Sequence, residues 1–420
     1  MADPLKATAD VPTVPFKHTT LRRVAAAFGF RDFRVLWFGA CTSSIGTWMQ
    51  SVAENWLVLS LTGSAFYLGL DAFLAQLPIM LFTLIGGVVA DRRDRRHMLL
   101  GSQYVQMTTA FTLAVLVFFD VVHVWQILAL SFVTGMAQAF GGPAYQSLIP
   151  SLVDKERLPN AIALNSIQFN LARVIGPLLA GVALTAFGMV SCFTLNGLSF
   201  LAVIVALLSL RVRHVPIVTT ERVMTQLRVG LSYVRHHHGL LALTLLAFAT
   251  TFLGMPLLTL LPVFTQNVFH QGVGQYSRLM AFSGAGAVLG ALIVAWLGRF
   301  RQMGTTALVV QAVFGLLIVG FGQSRSIYLS AGILFLSGAA MMTAFSTITS
   351  LVQLVAPNEM RGRVMSIFMV AFRGGMPLGS LAAGYLANVW TAPATLVVNG
   401  TLLTLVAVYF LVRHRVLGDL

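Results

Sequence analysis

Long apolar stretches recur along the whole chain and alternate with short polar segments. A helix of about 20 residues crosses the roughly 30 Å hydrocarbon core of a bilayer. We predict twelve such spans, at residues 35–61, 65–90, 98–119, 124–150, 161–187, 189–210, 240–266, 274–298, 304–323, 327–355, 364–389 and 391–412. Barrel strands are excluded because they alternate over about 10 residues between polar turns. The even number places both termini on one side.

Lysine and arginine are concentrated in every second connection between these spans. With the N-terminus assigned to the cytoplasm, 23 of the 27 basic residues fall on the cytoplasmic side. The opposite side has Arg278 and Arg325, and two further residues, Arg173 and Arg373, lie inside spans. Such an excess is typical of cytoplasmic loops. We therefore predict cytoplasmic termini and a multi-pass protein of the inner (cytoplasmic) membrane.

The longest polar stretch between spans separates two sets of six. The predicted organisation is a cytoplasmic N-terminal tail (1–34), a six-helix bundle (35–210), a central loop (211–239), a second six-helix bundle (240–412) and a cytoplasmic tail (413–420). Four apolar residues in the central loop recur at helical spacing between Val223 and Val234. They predict an amphipathic segment that lies on the inner leaflet with its arginines toward anionic headgroups.

Composition narrows the function. Apolar residues make up 57% of the chain and charged residues 10%, whereas soluble domains contain about 25% charged residues. The net charge of +14 is explained by basic cytoplasmic loops, so no nucleic-acid partner is expected. Cys41 and Cys192 both lie in apolar runs, and we predict neither a disulfide nor a metal site. The first 20 residues do not have the pattern of a signal peptide.

Two short patterns recur 200 residues apart. Span five contains Arg173-Val-Ile-Gly-Pro177 and span eleven contains Arg373-Gly-Gly-Met-Pro377. Both occupy the same place in a set of six spans, and both follow a charged cytoplasmic turn. This repetition predicts a duplicated transporter whose halves are related by an axis along the membrane normal. A chance match of two short patterns is the alternative.

The loop after span two carries a family motif. It reads Gly86-Gly87-Val-Val-Ala-Asp91-Arg92-Arg93-Asp94-Arg95-Arg96. This resembles the Gly-x-x-x-Asp-Arg-x-Gly-Arg-Arg signature of the major facilitator superfamily, with Asp94 in place of the second glycine. The acidic replacement is typical of the enterobactin-exporter-like and macrolide-efflux-like branch, as are Phe30-Arg31-Asp32-Phe33-Arg34 and Gly142-Pro143-Ala144. The resemblance implies an all-α membrane protein with twelve transmembrane helices in two six-helix bundles.

The same loop has the properties of a conformational latch. Gly86 and Gly87 permit close helix approach, and Asp91 can accept hydrogen bonds from a neighbouring helix N-terminus. Arg92, Arg95 and Arg96 can pair with acids across the boundary between the halves. Those contacts would hold the cytoplasmic side shut. Alternatively, the basic residues serve only to orient the chain in the membrane.

Span five resembles a second motif, the Gly-Pro-x-x-Gly-Gly sequence of superfamily antiporters. Gly176, Pro177 and Gly181 match it, and alanine stands at two of its glycine positions. Pro177 removes a backbone hydrogen bond and bends the helix. The match favours an exporter, and ordinary small-residue packing is the alternative.

Two carboxyl groups are predicted inside the membrane. Glu54 and Asp71 each lie roughly 10 Å from the outer surface, on adjacent spans. An intramembrane charge costs about 2.5–3.5 kcal/mol or more, so each requires a reason. Neighbouring carboxyl groups can share a proton, which makes this pair the candidate for proton coupling. The alternatives are a structural pair for Glu54 and a water-exposed helix end for Asp71.

Further polar and aromatic residues are candidates for a substrate cavity. Arg173 and Arg373 occupy equivalent positions, and each can anchor an anionic group or form a structural bridge. The other candidates are Trp48, Gln50, Asn55, Gln76, Gln138, Asn165, Gln168 and Phe372. A cavity with mixed aromatic and polar walls suits bulky amphipathic molecules.

These observations predict a secondary active transporter that couples proton entry to efflux of a small amphipathic molecule by alternating access. By resemblance the cargo is a siderophore or a drug. Its partners are a small-molecule substrate, the proton and the lipid bilayer, and a monomer without a cofactor is expected. No Walker A sequence occurs, so ATP is not expected to drive it. The alternatives are an importer or uncoupled facilitator, a polytopic membrane enzyme, and a non-transporting receptor.

Overall fold

The computed structural model describes residues 25–210, 223–298, 300 and 302–413, and this part of the chain contains helices and no strand. Thirteen α-helices of 14 residues or more lie within it. They are α1 Arg31–Thr62, α2 Ala65–Arg92, α3 Arg95–Phe118, α4 Val124–Leu148, α5 Leu158–Phe187, α6 Met189–Ser209, α7 Val223–His236, α8 His238–Gly254, α9 Val273–Leu297, α10 Met303–Gln323, α11 Ile327–Val355, α12 Arg361–Val389 and α13 Ala392–Arg413. Most of the predicted tails and the first part of the central loop lie outside the described residues.

Ten helical segments of the described chain are long and apolar enough to cross a membrane. They correspond to α2, α4 to α6, and α8 to α13. The other two predicted spans coincide with α1 and α3, which have 32 and 24 residues. These two helices are more polar because they supply interior side chains such as Gln50, Glu54 and Gln106.

The seventh predicted span is interrupted, which differs from the continuous helix expected over 240–266. The α8 helix ends at Gly254 and is followed by the short helices Pro256–Thr259 and Leu261–Val263. A π-helical turn, Phe264–Val268, completes the segment. Pro256 and Pro262 begin or lie within the short helices, and proline cannot donate the backbone hydrogen bond that would continue an α-helix.

Helix packing follows the same order before and after α7. In the first six helices, α1 packs on α5 and α6, α2 on α4, and α3 on α4 and α6. In the last six, α8 packs on α12 and α13, α9 on α11, and α10 on α11 and α13. The two sets meet where α2 packs on α12 and where α5 packs on α9.

Glycine permits the closest of these approaches. A Cβ atom on Gly135 of α4 would overlap the Ala75 carbonyl of α2, and one on Gly338 of α11 would overlap the Ser283 carbonyl of α9. Without water in the bilayer core, helices associate through close packing of this kind, for which small residues are required.

The bundle has two distinct ends. One end, which we call the basic end, carries Arg92, Arg93, Arg95, Arg96, Arg361 and Arg363. The opposite end carries the links from α1 to α2 and from α12 to α13. The α7 helix lies at the basic end, where Gly230 packs on the backbone of Arg363. Of its predicted apolar face, Val234 is buried but Leu231 is 49% exposed.

Asp94 begins α3 as its N-cap residue. Its Oδ1 accepts hydrogen bonds from the backbone N–H groups of Arg96 (2.8 Å) and His97 (3.4 Å), and its Oδ2 lies 2.8 Å from His97 Nδ1. Partial burial raises the pKa of Asp94, but these hydrogen bonds outweigh burial and hold the pKa below its ordinary value. The aspartate that replaces glycine in the motif therefore has a structural role of its own.

We predict that Asp94→Ala lowers Tm in detergent at pH 7, since loss of an N-cap costs about 1 kcal/mol. Asp94→Gly, which restores the common motif residue, should cost only a few tenths of that. Because the folded-state pKa is lowered, the ionised carboxylate stabilises the fold at neutral pH, and this contribution disappears as the pH falls through the folded-state pKa. The difference in Tm between wild type and Asp94→Ala should therefore decrease as the pH falls through this pKa. An equal Tm for both proteins at pH 7 would contradict the capping role.

Candidate functional site

Glu54 and Asp71 meet at one serine hydroxyl. Ser131 Oγ lies 2.7 Å from Glu54 Oε1 and 2.6 Å from Asp71 Oδ1. The three residues come from α1, α2 and α4, each within about two helical turns of the opposite end. Asp71 is 4% exposed, so water does not screen it. The structure thus brings together the two carboxyl groups that the sequence places at similar depth.

The geometry at Ser131 fits a proton on one of the two carboxyl groups. A serine hydroxyl has a single hydrogen and can donate it to one acceptor. The second short contact is a hydrogen bond only if the other carboxyl group donates its own hydrogen to Ser131 Oγ. A pair of carboxylates, both ionised and both this close to one hydroxyl, would leave two oxygen atoms facing each other without a hydrogen between them.

A small polar cavity adjoins the pair. It has a volume of about 100 Å³ and its lining includes Glu54, Ser131, Gln106, Thr134 and Gln138. That volume has room for several water molecules, and the polar walls supply their partners. Thus Glu54 faces an interior polar space and not lipid.

The predicted residue Gln50 belongs to this site. Its Nε2 donates to Glu54 Oε2 at 3.1 Å, and its Oε1 accepts from Asn196 Nδ2 at 2.7 Å. Gln50 therefore links the second carboxyl oxygen of Glu54, the one that Ser131 does not contact, to Asn196 of α6.

A larger cavity of about 340 Å³ lies between the two sets of helices, near the basic end. Its described lining comes from α2, α4, α7 and α12: Thr83, Leu84, Gly87, Val88, Gln138, Gly142, Pro143, Gln146, Leu227, Arg363, Ser366 and Arg373. We call this space the basic-end cavity. Gln138 lines both cavities, and its Nε2 donates to Gln106 Oε1 at 3.3 Å.

The two intramembrane arginines have different surroundings. Arg373 is exposed to the basic-end cavity and forms no hydrogen bond or ion pair with any described residue. Arg173 does not line that cavity, and its guanidinium lies over the Trp48 ring, 5.6 Å from the centroid. Trp48 in turn makes an edge contact with Phe169. The equivalence expected from the repeat therefore holds for position along the helix but not for environment.

Contacts between the two sets of helices join them at the opposite end. Asn55 Nδ2 donates to Tyr276 Oη at 3.2 Å, and Trp56 stacks on the same tyrosine. Ser64 Oγ donates to Asn388 Oδ1 at 3.0 Å. Nearby, a Cβ atom on Gly69 would overlap the Ser380 carbonyl. The two sets of helices are thus joined at the opposite end, and the basic-end cavity lies between them near the other end.

Several predicted cavity residues lie elsewhere. Gln168 is buried and donates to the Ala40 carbonyl at 3.0 Å and to Ser44 Oγ at 2.7 Å, while Asn165 accepts from Tyr145 at 2.7 Å. These bonds tie α5 to α1 and α4. Phe372 stacks on Phe345 with 4.1 Å between ring centroids. Gln76 is half-buried and lines neither of the two cavities.

Two of the predicted latch residues donate to backbone carbonyl groups. Arg95 donates to the Ser147 carbonyl at 3.0 Å, and Arg96 donates to the Leu208 carbonyl at 2.8 Å. These two bonds hold the ends of α4 and α6 within the first set of helices. Arg92 is exposed, Gly87 faces the basic-end cavity, and the side chain of Asp91 lies outside the described part.

The predicted helix-bend motif lies at two interfaces. Gly176 packs on Trp48 of α1, so a side chain there would displace the tryptophan. Pro177 is buried within α5, which is helical on both sides of it. Gly181 lies against Ser277 of α9, at the contact between the two sets of helices. Gly176 and Gly181 therefore serve close packing.

Sequence reasoning missed Ser131 and Gln106. Ser131, Gln138, Gly142 and Tyr145 recur on α4 at spacings of seven, four and three, which is one helical face. That polar stripe in an otherwise apolar span was the available signal.

A family model described as transmembrane secretion effector matches residues 24–417. The chain belongs to this family of the major facilitator superfamily. The predicted resemblance to its enterobactin-exporter-like and macrolide-efflux-like branch is confirmed by individual relatives. This family and these relatives are transporters, so the alternative of a membrane enzyme is excluded.

Three relatives align along most of their length. The staphyloferrin A transporter of Staphylococcus aureus is 26% identical over 88% of this chain and 93% of its own. Macrolide efflux protein A of Streptococcus pyogenes is 22% identical over 90% of this chain and 94% of its own. An enterobactin exporter of Salmonella typhi is 24% identical over 92% of each chain.

Solved structures show the same fold. A bacterial homologue of the human lysosomal transporter Spinster, in an inward-facing and occupied conformation, superimposes with a TM-score of 0.74 at 13% identity. It covers 92% of this chain and 97% of that one. A peptide transporter with bound alafosfalin has a TM-score of 0.72 at 14% identity, with 94% and 98% covered.

We predict that Gly69→Val opens the opposite end, because its side chain would collide with the Ser380 backbone. Cysteines placed at Ser64 and Asn388 should cross-link readily in an otherwise wild-type chain. Adding Gly69→Val should reduce the cross-linked fraction severalfold. Gly332→Val is the matched control, since a Cβ atom at Gly332 meets no atom within 4 Å. Equal cross-linking with and without Gly69→Val would contradict this reading.

Proposed function

We propose that the chain is a proton-coupled exporter of a small amphipathic molecule that works by alternating access. In this proposal α1 and α3 also cross the membrane, which gives twelve spans in two bundles of six, over 35–210 and 240–412. The basic end and both termini face the cytoplasm, in agreement with the distribution of lysine and arginine. The protein acts as a monomer in the inner membrane.

The observation that carries the proposal is the bridge at Ser131. The Glu54–Asp71 pair holds one proton, for which Ser131 completes the hydrogen bonds. When this proton leaves, the single hydroxyl hydrogen can satisfy only one of two carboxylates, and the charges repel. Departure of the proton therefore favours a different packing of α1, α2 and α4. A coupling ion must change the relative stability of two conformations in this way.

The position of the pair supports exchange with cargo. The small cavity beside Glu54 shares Gln138 with the basic-end cavity. Water in the small cavity would give the proton a path toward Gln138 and the cytoplasm. Cargo that enters the basic-end cavity then lies next to the route by which the proton leaves.

Export is supported by two features. The opposite end is held together by Asn55–Tyr276 and Ser64–Asn388, so the cavity accepts cargo from the cytoplasmic side. The relatives named above include a macrolide efflux protein and an enterobactin exporter. Release outside would require these contacts to part and the basic end to close, by means of the predicted latch.

Respiring inverted vesicles provide the test, with a macrolide and enterobactin as cargoes. For the wild-type chain, added cargo should release protons from the vesicle interior and accumulate inside, and a protonophore should abolish the accumulation. We predict that Glu54→Gln and Asp71→Asn abolish cargo-driven proton release while cargo binding persists. Ser131→Ala should slow it roughly ten-fold, the effect of losing a hydrogen bond to a charged group. Ser330→Ala, another buried serine, is the control.

Other outcomes identify the alternatives. Cargo movement without proton release and without sensitivity to the protonophore would indicate a facilitator. Cargo loss from preloaded inverted vesicles on energisation would indicate an importer. If the Glu54 and Asp71 variants transport as wild type does, the pair is structural and the proposal fails.

A further inference from the structure

The basic-end cavity is cationic, and its charge comes from one helix. Arg363 and Arg373 line it, both from α12, and none of its described lining residues is acidic. The other lining groups capable of hydrogen bonding are neutral, and they include Thr83, Gln138 and Ser366. A cavity of about 340 Å³ falls within the range of small-molecule sites, roughly 300–1,000 Å³.

Arg373 is the group whose charge is not balanced there. It forms no hydrogen bond or ion pair with any described residue, and its side chain is exposed to the cavity. It lies twelve residues after the first residue of α12. That is about 18 Å along the helix, farther than an arginine side chain extends. Arg373 therefore cannot bring its guanidinium to the basic end of α12.

The backbone around Arg373 is held on both sides. Gly374 packs against the Met80 side chain of α2, and Gly375 packs against the Phe248 carbonyl of α8. Because α12 is wedged between these two helices, rotation of Arg373 away from the cavity would require larger residues to enter both contacts. The guanidinium is thus presented to the cavity by rigid elements.

Arg173 provides an internal comparison. Its guanidinium already has the Trp48 ring as a partner and does not line the basic-end cavity. A cation over an aromatic face is stabilised without an anion. Of Arg173 and Arg373, only Arg373 lacks such a partner among the described residues.

We propose that the cargo is an anionic amphipathic molecule, whose carboxylate or similarly charged group binds Arg373 in the basic-end cavity. A guanidinium binds such groups through two parallel hydrogen bonds, and these are strong where water is limited. Gln138 donates the amide N–H that is not bonded to Gln106 to the remaining oxygen atoms. This inference rests on the proposed function, and it names the class of cargo that the same site accepts.

Dansylglutamate and its uncharged dimethyl ester are the probes, because they share an aromatic body and differ in two carboxylates. Binding is measured by the shift in Tm of the purified full chain in nanodiscs of phosphatidylcholine. The wild type should prefer dansylglutamate to the ester. Arg373→Gln should weaken dansylglutamate binding about ten-fold or more, as expected for loss of a charge-assisted contact. Ester binding should change little.

Two further variants separate charge from packing. Arg373→Lys keeps the charge and should retain part of the preference for dansylglutamate. Arg325→Gln removes one positive charge from an exposed link at the opposite end, and it should bind as wild type does. If Arg373→Gln binds dansylglutamate as tightly as wild type, or if the ester is preferred, the inference is overturned.

A lipid headgroup is the other source of an anion, and a second nanodisc composition distinguishes it. If phosphatidylglycerol raises Tm through Arg373 and dansylglutamate does not bind there, the arginine is a lipid site and the cargo assignment is wrong. Transport outcomes remain separate. Loss of proton-coupled efflux with intact dicarboxylate binding counts against the proposed coupling, whereas proton-driven efflux without any preference for anions counts against Arg373.

Discussion

The close approach of α2 and α4 at Gly135 is the contact on which the site depends. In a bilayer, helices gain nothing from hiding apolar surface, so they associate where small residues let their backbones meet. Gly135 lies against the Ala75 carbonyl, and both residues are one helical turn from Ser131 and Asp71 respectively. The distance of 2.6 Å between that hydroxyl and that carboxyl group follows from this packing. A larger residue at Gly135 would separate the helices before it touched either polar group.

The packing is duplicated, but the chemistry is not. Both sets of six helices repeat one order of contacts, with glycine against a carbonyl at the α2–α4 and α9–α11 crossings. After residue 239 the chain has only two acidic residues, Glu359 and Asp419, and neither lies within a helix described by the structure. The first set of helices therefore holds the carboxyl groups, and the second contributes Arg373, a cation without a hydrogen-bond or ion-pair partner among the described residues. The order of helix contacts is thus repeated, whereas the polar side chains of the two sets differ.

Much of this could be predicted from the sequence because membrane spans are dictated by length and hydropathy. Depth could also be predicted, since Glu54 and Asp71 are counted from span ends, and equal depth on adjacent helices suggested their proximity. Side-chain partners depend on helix rotation, which residue counts do not contain. For that reason Ser131 was missed, and Gln168 was assigned to a cavity although it bonds within the first set of helices. The break after Gly254 was signalled by Pro256 and Pro262, but their effect depends on the neighbours that tolerate it.

The α4 helix contributes to both candidate sites. Ser131 and Gln138 are seven residues apart, two turns on the same face, or about 10 Å along one rod. A rotation of α4 about its long axis would displace both side chains in the same sense and at the same moment. Movement of this one helix would then respond both to the proton at Ser131 and to cargo at Gln138, without a relay of intervening side chains. Proton release without cargo movement, or the reverse, would require α4 itself to twist between Ser131 and Gln138.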